Sequence, residues 1–345
     1  METTKAIRMN GPLDLEIIDI PFPEPKAGEA LVKVKYGGIC GSDYKIYLGK
    51  MNNAEYPLIG GHEFTSEIVE VGKNDFGLKP GMVTIGLPYF GCGSCWACNR
   101  GFHNACPTNR TMGVMRNGGY AQYLAMPVHR LIPGKGIPVD LLTLVEPFQC
   151  GMHTAKRCGV KKGNKVVVFG AGPIGIFVAM ACKLRGADMV YSVDVSDWRL
   201  QKALSMGIDG IFNPSNGGLL EWAREMTNGE NFDVAIECVG STQVYQNCID
   251  VCTIGGTVGI LGVTKEKVSY DYSIISMKEL HMVGARNGLR EDFEDIIDLI
   301  ATDTLGKDIR SMISGIYDFT RAKEVFEMIR CDGEHIMKMM LNFDI

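Results

Sequence analysis

Residues 166–175, VVVFGAGPIG, decide the fold of the central part of the chain. The first four residues predict a buried strand, and the glycine pattern G-x-G-x-x-G then opens the helix-like segment PIGIFVAMACKLRG. Gly170 permits a tight turn, Gly172 lets the backbone approach a pyrophosphate, and Gly175 allows the helix to pack closely on the strand. The stretch therefore predicts a site that binds a dinucleotide.

An acidic residue ends the next strand-like run, VYSVD. A carboxylate at this position, Asp194, accepts hydrogen bonds from both ribose hydroxyls and repels a 2′-phosphate, so the pattern favours NAD over NADP. The pyrophosphate is expected at the start of the helix, beside Pro173 and Ile174. Arg199 either stacks on the adenine or lies in solvent. The alternative for the whole motif is a glycine turn in an α/β domain without a ligand.

Strand-like and helix-like segments alternate from about residue 161 to residue 284, for example MVYSVDV followed by DWRLQKALSMG. This alternation predicts a doubly wound parallel sheet. The first 140 or so residues differ, because short runs such as LEIIDI and EALVKVKY lie between Pro and Gly residues and predict a β-rich domain. After residue 284, two helix-like segments precede a last strand-like run, IMKMMLNFDI.

Composition limits the classes of function. A chain of 345 residues has room for two domains, and 46% hydrophobic with 22% charged residues predicts ordinary folded cores. The net charge of −5 gives no electrostatic footprint for nucleic acid or an anionic membrane. No apolar run approaches the roughly 18 residues of a membrane helix. We therefore expect a soluble, cytoplasmic protein without a nucleic-acid or membrane partner.

Four cysteines lie within the segment CGSCWACNRGFHNAC: Cys92, Cys95, Cys98 and Cys106. This spacing lets a short loop wrap a tetrahedral ion, and four thiolates make a closed, structural zinc site. Disulfide bonds are the alternative. The chain begins METTKAIRMN, with no apolar run behind a basic start, so no secretory signal is visible and the thiols should stay reduced. Zinc is the favoured interpretation.

A second set of metal-binding residue types is spread over three motifs. Cys40 lies in GGICGSD, His62 and Glu63 lie in GGHEF, and Glu146 lies in LVEPF. Each alone has an ordinary explanation, as a buried thiol, a core histidine or a surface acid. Together, a cysteine, a histidine and a carboxylate would form a three-ligand zinc site with one open position. Such a metal polarises an alcohol oxygen, and NAD takes the hydride.

These motifs, together with GGYAQY, GAGPIG and VYSVD, resemble the zinc-dependent medium-chain dehydrogenase/reductases over essentially the full chain. The resemblance implies an α/β protein with a GroES-like β-barrel catalytic domain, residues 1–140 and 285–345, and a Rossmann domain, residues 141–284. It also implies two zinc ions per chain, one catalytic and one structural, and a homodimer or homotetramer.

The resemblance further places the catalytic zinc on Cys40, His62 and Glu146, with Glu63 as an exchanging or neighbouring ligand. A glutamate as the third ligand is similar to the polyol branch typified by sorbitol dehydrogenase. Ser42 matches the hydroxyl that begins a proton relay in many relatives. Those relatives often have histidine where this chain has Lys45, which is either a solvated residue or a relay or substrate contact.

The segment MKELHMVGARNGLREDF resembles dehydrogenases of sugar acids, such as L-galactonate and L-gulonate/L-idonate 5-dehydrogenases. Arg286 and Asn287 would follow a strand that ends near the nicotinamide. Arg286 could clamp a substrate carboxylate in a bidentate fork or form a salt bridge across the domain interface. The residues matching the strand end that flanks the nicotinamide are Leu261, Gly262 and Val263.

The expected activity is therefore an NAD- and zinc-dependent oxidation of a secondary alcohol in a polyhydroxylated small molecule. A hexonate such as L-gulonate, L-idonate or L-galactonate, oxidised to its keto acid, is the first expectation. A neutral polyol and L-threonine are the alternatives. A non-catalytic binding protein that keeps the fold is a remote one.

Overall fold

The computed structural model describes residues 2–51, 53–264, 267–268, 272–305 and 309–345. The chain forms two compact units, the first of Met1–Glu146 with Leu289–Ile345 and the second of Pro147–Gly288. The sequence placed the divisions at residues 140 and 285, a few residues earlier. The first division falls within a helix, Val145–Arg157, which no glycine or proline turn separates from the preceding segment.

The strands are β1 (Thr3–Gly11), β2 (Asp14–Pro21), β3 (Glu29–Gly38), β4 (Leu58–Ile59), β5 (Glu63–Val71), β6 (Val83–Gly86), β7 (Tyr89–Phe90), β8 (Arg110–Thr111), β9 (Tyr123–Pro127), β10 (Leu131–Pro133), β11 (Lys165–Phe169), β12 (Met189–Val193), β13 (Gly210–Phe212), β14 (Phe232–Glu237), β15 (Cys252–Ile260), β16 (His281–Gly284), β17 (Ile313–Asp318) and β18 (Lys338–Asn342). The α-helices are α1 (Gly41–Tyr47), α2 (Val139–Thr143), α3 (Val145–Arg157), α4 (Pro173–Leu184), α5 (Asp197–Ser205), α6 (Leu219–Met226), α7 (Thr242–Val251), α8 (Ser273–Met277), α9 (Arg290–Ala301) and α10 (Ala322–Asp332).

The second unit contains a six-stranded parallel sheet in the order β13-β12-β11-β14-β15-β16. Its central strand β11 is apolar and almost wholly buried, as expected for a strand covered on both faces. The chain moves outward from β11 in one direction through β12 and in the other through β14. The strand order therefore reverses between β11 and β14, and ligands of such sheets bind beyond the carboxyl ends of the strands at this switch point.

The first unit is built mainly on a mixed sheet in the order β10-β6-β5-β3-β18-β17, with β9 also paired to β3. Its core includes apolar residues of β1, β3, β5, α10 and β18. The last strand, β18, pairs antiparallel with β3, so the end of the chain completes the sheet begun near its start. Within the described residues, no helix combines the length and apolar character needed to cross a membrane.

Candidate metal centre and dinucleotide site

Cys40, His62 and Glu63 meet at one edge of the sheet in the first unit. β3 pairs antiparallel with β5 in a register that places Gly38 opposite Glu63. Cys40 lies just after β3 and His62 just before β5, so the register brings them together. One ligand atom from each of Cys40, His62 and Glu63 lies within 4.8 Å of the other two. These donors fit an open zinc site, because zinc is bound in proteins by thiolate, imidazole and carboxylate.

Asp43 orders the residues around this cluster. Its carboxylate accepts hydrogen bonds from the backbone N–H of Cys40 (3.0 Å) and of Gly61 (3.2 Å), and it lies 3.6 Å from Nδ1 of His62. Burial opposes ionisation of Asp43 and His62, but their mutual attraction outweighs it together with the backbone hydrogen bonds to Asp43 and the charge of Cys40 beside His62. The pKa of Asp43 is therefore lowered and that of His62 is raised well above its ordinary value. Asp43 therefore places a negative charge beside the imidazole, whose Nε2 lies 3.4 Å from Oγ of Ser42.

The two glutamates near the cluster have different partners. Glu63 is fully buried, and the ammonium of Lys338 lies 2.7 Å from each of its carboxylate oxygens. Glu146, in the first turn of α3 and 3% exposed, accepts a 2.5 Å hydrogen bond from the hydroxyl of Tyr89. Burial raises the pKa of Glu146 to about 7, with His62 opposing and Glu63 reinforcing the shift. Among the described residues, the 4.8 Å cluster does not include Glu146, although Glu146 interacts electrostatically with two of its members.

The four lobe cysteines converge as the sequence predicts. The Sγ atom of Cys95 lies 3.6 Å from the Sγ atom of Cys98 and 3.7 Å from that of Cys106. The Sγ atoms of Cys106 and Cys92 are also 3.7 Å apart. Four sulfurs around a tetrahedral ion with bonds of about 2.3 Å would be separated by about 3.8 Å. Backbone N–H groups of Ser94 and Cys95 lower the pKa of Cys92 to about 5, which favours the thiolate. None of the four lobe cysteines forms a disulfide bond, so the disulfide alternative is wrong for this lobe.

The glycine motif follows β11 and opens α4 in the second unit. Gly170 has φ +101°, a value that favours glycine, and a Cβ at Gly175 would lie 1.7 Å from the carbonyl oxygen of Gly170. Gly172 is the N-cap of α4, Pro173 and Ile174 form its first turn, and no side chain caps this end. Backbone N–H groups at the start of the helix can therefore bind an anion.

Asp194 joins the glycine turn to the end of β12. Its Oδ2 accepts a hydrogen bond from Ala171 N–H at 2.7 Å, and its Oδ1 accepts one from Ser196 N–H at 2.9 Å. A carboxylate has about four acceptor positions, so these bonds leave capacity for ribose hydroxyls. The guanidinium of Arg199 lies near the same turn, 3.9 Å from where a Cβ of Gly172 would stand.

Leu261, Gly262 and Val263 follow β15 and are held by Glu237 at the end of β14. The carbonyl oxygen of Glu237 accepts hydrogen bonds from the N–H groups of Leu261 (3.0 Å) and Gly262 (3.1 Å). Its carboxylate accepts from Val239 (2.7 Å) and Gly240 (2.6 Å) in the neighbouring turn. One buried glutamate therefore joins two loops at the carboxyl edge of the sheet.

The predicted substrate residues lie on exposed or irregular backbone. Lys45 lies on the exposed face of α1. Arg286 is exposed, Asn287 has φ +51°, and both residues follow β16. They belong to the second unit, as does the loop of residues 261–263. The structure thus groups Arg286 and Asn287 with the dinucleotide-site unit and Lys45 with the metal-site unit.

Both parts of the chain are similar to known families of proteins. Residues 26–138 match the model of the alcohol dehydrogenase GroES-like domain, and residues 173–302 match that of the zinc-binding dehydrogenases. L-Galactonate-5-dehydrogenase of Escherichia coli K12 is 31% identical over 99% of this chain and 100% of its own length. The chain belongs to the zinc-type medium-chain alcohol dehydrogenases.

Other relatives of this zinc-type dehydrogenase differ in substrate. L-Threonine 3-dehydrogenase of Shewanella frigidimarina is 31% identical over 95% of this chain and 96% of its own length. The crystal structure of an alcohol dehydrogenase from Escherichia coli CFT073, complexed with NADH, has a TM-score of 0.92 at 27% identity and covers 99% of this chain and all of that one. These matches confirm the predicted GroES-like and Rossmann fold and the predicted enzyme class.

Sequence reasoning about this dehydrogenase left four site residues unassigned: Asp43, Tyr89, Tyr120 and Lys338. Three carried a signal, because Asp43 belongs to the quoted GGICGSD motif, Tyr120 belongs to GGYAQY, and Lys338 interrupts the apolar run IMKMML. Tyr120 donates hydrogen bonds to the carbonyl oxygen of Gly38 (2.8 Å) and to Asp43 (3.1 Å), and it lies in GGYAQY. Tyr89 gave none, since only the fold brings it to Glu146.

Proposed function

We propose that this dehydrogenase uses zinc and NAD to oxidise a secondary alcohol of a hexonate to the keto acid. The observation that carries the proposal is the convergence of Cys40, His62 and Glu63, with which the buried Glu146 interacts electrostatically, in a chain that also has the glycine turn of a dinucleotide site. The relation to L-galactonate-5-dehydrogenase over the whole chain supports a sugar acid as the substrate.

The proposed catalytic metal site uses Cys40, His62 and Glu146, with Glu63 as a neighbouring or exchanging ligand. Lys338 contacts both oxygens of Glu63 and neutralises its charge, which favours Glu146 as the third ligand. Zinc bound there would lower the pKa of an alcohol hydroxyl, and bound NAD would accept the hydride from the alcohol carbon, which would give a ketone. The four lobe cysteines would hold the second, structural zinc.

The residues beside this site have proposed roles in handling the proton and the cofactor. Ser42, whose hydroxyl lies 3.4 Å from His62, would accept the proton of the alcohol and pass it toward solvent, where Lys45 lies three residues further along α1. The N–H groups at the start of α4 would bind the pyrophosphate, and Asp194 would bind the ribose.

Substrate choice is tested by following NADH formation at 340 nm with hexonates, hexitols and L-threonine, while zinc is quantified in parallel. Turnover of L-galactonate, L-gulonate or L-idonate, but not of sorbitol, supports the hexonate proposal and Arg286 as the carboxylate clamp. Arg286→Ala should then raise KM for the hexonate by tenfold or more and leave that for a hexitol unchanged. Turnover of L-threonine alone would instead establish the second candidate, which the threonine dehydrogenase relatives favour.

The metal assignment is tested by Glu146→Ala, with the exposed Glu70→Ala on β5 as the matched control. We expect the first variant to lose turnover and zinc affinity while it still binds NADH. Glu70→Ala should behave as the unaltered enzyme. Full turnover in Glu146→Ala would remove Glu146 from the site.

We also propose a cytoplasmic homodimer or homotetramer. Free thiols in the zinc lobe suit a reducing compartment, and β16 is an edge strand that pairs only with β15 among the described strands. Light scattering coupled to size exclusion would give the subunit number, and a monomer at micromolar concentration would contradict this proposal.

A further inference from the structure

Tyr89 lies in the strand that leads into the cysteine lobe, and both its backbone and its ring have fixed partners. It lies in β7, which pairs with β8 in a register that sets Tyr89 opposite Thr111, and the four lobe cysteines lie between these two strands. Its carbonyl oxygen accepts a hydrogen bond from Arg130, and its ring packs edge-on against Phe293 with centroids 6.4 Å apart. Only 8% of the residue is exposed. Backbone and ring are therefore both fixed.

The hydroxyl of this fixed ring points at Glu146. It donates a short, 2.5 Å hydrogen bond to Oε1. A glutamate side chain has several rotatable bonds, and Glu146 is 3% exposed, so a donor of fixed position selects one orientation of the carboxylate. A carboxylate accepts about four hydrogen bonds or metal bonds, so one bond from the phenol leaves acceptor positions for an ion.

The nature of the donor separates Glu146 from Glu63. Lys338 brings a positive charge to Glu63, so that carboxylate is already paired as an ion. Tyr89 is a neutral donor and orients Glu146 without cancelling its charge. A ligand to a cation needs its negative charge, and it also needs a fixed direction.

We propose that Tyr89 is a positioning residue for the metal site, because its hydroxyl holds Glu146 in the orientation that binds zinc. This inference rests on the proposed function, in which Glu146 is the third ligand. It assigns a role in the metal centre to a residue of the strand that leads into the cysteine lobe.

The test is Tyr89→Phe in the full-length zinc-loaded enzyme, which removes only the hydroxyl. Loss of an outer partner of a metal ligand lowers metal affinity by about 10- to 100-fold. We expect one of the two zinc ions to leave about tenfold faster or more in the presence of a chelator, and the visible spectrum of cobalt at the catalytic site to change. We also expect kcat to fall while KM for NAD stays the same.

The matched control is Tyr47→Phe, since Tyr47 is 1% exposed and donates a 2.7 Å hydrogen bond to Glu327, a carboxylate outside the metal cluster. This control should leave zinc release and the cobalt spectrum unchanged. If Tyr89→Phe fails to fold, Tyr89→Leu removes the same hydroxyl with different packing, and thermal unfolding identifies which variant is native.

A double variant separates this inference from the function on which it rests. If Tyr89 acts through Glu146, adding Tyr89→Phe to Glu146→Ala should not accelerate zinc release further. Zinc release and a cobalt spectrum in Tyr89→Phe identical to those of the unaltered enzyme would overturn the positioning role. If Glu146→Ala itself kept its zinc and its turnover, the ligand assignment would be the part that fails.

Discussion

The ammonium nitrogen of Lys338 lies 2.7 Å from both carboxylate oxygens of Glu63 and 3.2 Å from the carbonyl oxygen of Ile39. Both side chains are almost completely buried, and they come from strands at opposite ends of the chain. Burial alone would lower the pKa of Lys338, but the charge of Glu63 raises it, so the pair remains ionic. The C-terminal strand therefore supplies the counter-ion for a residue of the metal cluster.

Replacing Lys338 with methionine should strongly destabilise the first unit. The change leaves Glu63 as a buried carboxylate without its cation, which costs about 3–5 kcal/mol of unfolding free energy. Lys5→Met is the control, because the Lys5–Asp19 pair is half exposed and should contribute less than about 1 kcal/mol. Urea unfolding measures both. Equal losses for the two variants would contradict the importance of burial at Lys338.

Replacing Cys98 with serine should remove one zinc ion and lower stability. The four lobe thiols form the site together, and a hydroxyl is a poor substitute for a thiolate in a closed zinc site. Cys331→Ser, at an exposed cysteine outside the lobe, is the control and should change neither property. Metal analysis and thermal unfolding provide the readouts. A Cys98→Ser enzyme with two zinc ions and unchanged stability would disprove the structural site.

Local spacing made the lobe and the glycine motif predictable from the sequence. The four cysteines and the glycines each lie within a short segment, so their geometry depends little on the rest of the fold. The cluster of Cys40, His62 and Glu63 depended instead on the register between β3 and β5, whereas the motifs indicated only that these residue types suit zinc. Tyr89 and Lys338 could not be found this way, because their partners lie far away in the sequence and only the assembled sheet brings them close.

Short elements were also beyond sequence reasoning. The strand β13 has three residues and the helix α1 has seven, too few for a clear hydrophobic period. The alternation of strands and helices from β11 onward was clear because the central strands β11 and β14 are short, mostly buried and mostly apolar runs.

The buried thiol of Cys158 should make the protein less stable at alkaline pH. Burial raises the pKa of Cys158 to about 12, whereas a thiol in an unfolded chain ionises near about 8.5. The protonated thiol therefore makes its full contribution to folding stability below a pH of about 8.5, and this contribution is lost as the pH rises toward 12. We measure the free energy of unfolding in urea under reducing conditions at pH 7 and at pH 10. Between these two pH values it should fall by about 2 kcal/mol more in the unaltered enzyme than in Cys158→Ala. Identical pH dependence would show that the thiol ionises in the fold.

Asp194→Asn should weaken the preference for NAD. The amide keeps one acceptor for the backbone groups of Ala171 and Ser196 but removes the charge that would repel a 2′-phosphate. We expect the ratio of kcat/KM for NAD to that for NADP to fall about tenfold, which corresponds to about 1.4 kcal/mol. The control is Asp209→Asn, which removes a carboxylate that pairs with Lys183. This control should leave the ratio unchanged. An unaltered ratio in Asp194→Asn would assign the discrimination to another group.

Two glycines of the same motif should respond differently to alanine. At Gly175 a Cβ would lie 1.7 Å from the backbone oxygen of Gly170, so Gly175→Ala should force α4 away from its turn and cost about 1–3 kcal/mol or more. At Gly172 the backbone has φ −71°, and a Cβ would meet nothing nearer than Arg199 at 3.9 Å. The free energy of unfolding of Gly172→Ala should therefore lie within about 0.5 kcal/mol of that of the unaltered enzyme.

Gly172→Ala should weaken cofactor binding without destabilising the fold. The Cβ of Gly172→Ala would stand at the start of α4, where the proposed pyrophosphate approaches the backbone, so the Kd for NADH should rise at least tenfold. Fluorescence titration with NADH, set beside urea unfolding of both variants, separates the two effects. A Gly172→Ala enzyme that binds NADH normally would mean that the pyrophosphate does not lie against this turn, even though the strand, the turn and the helix are in place.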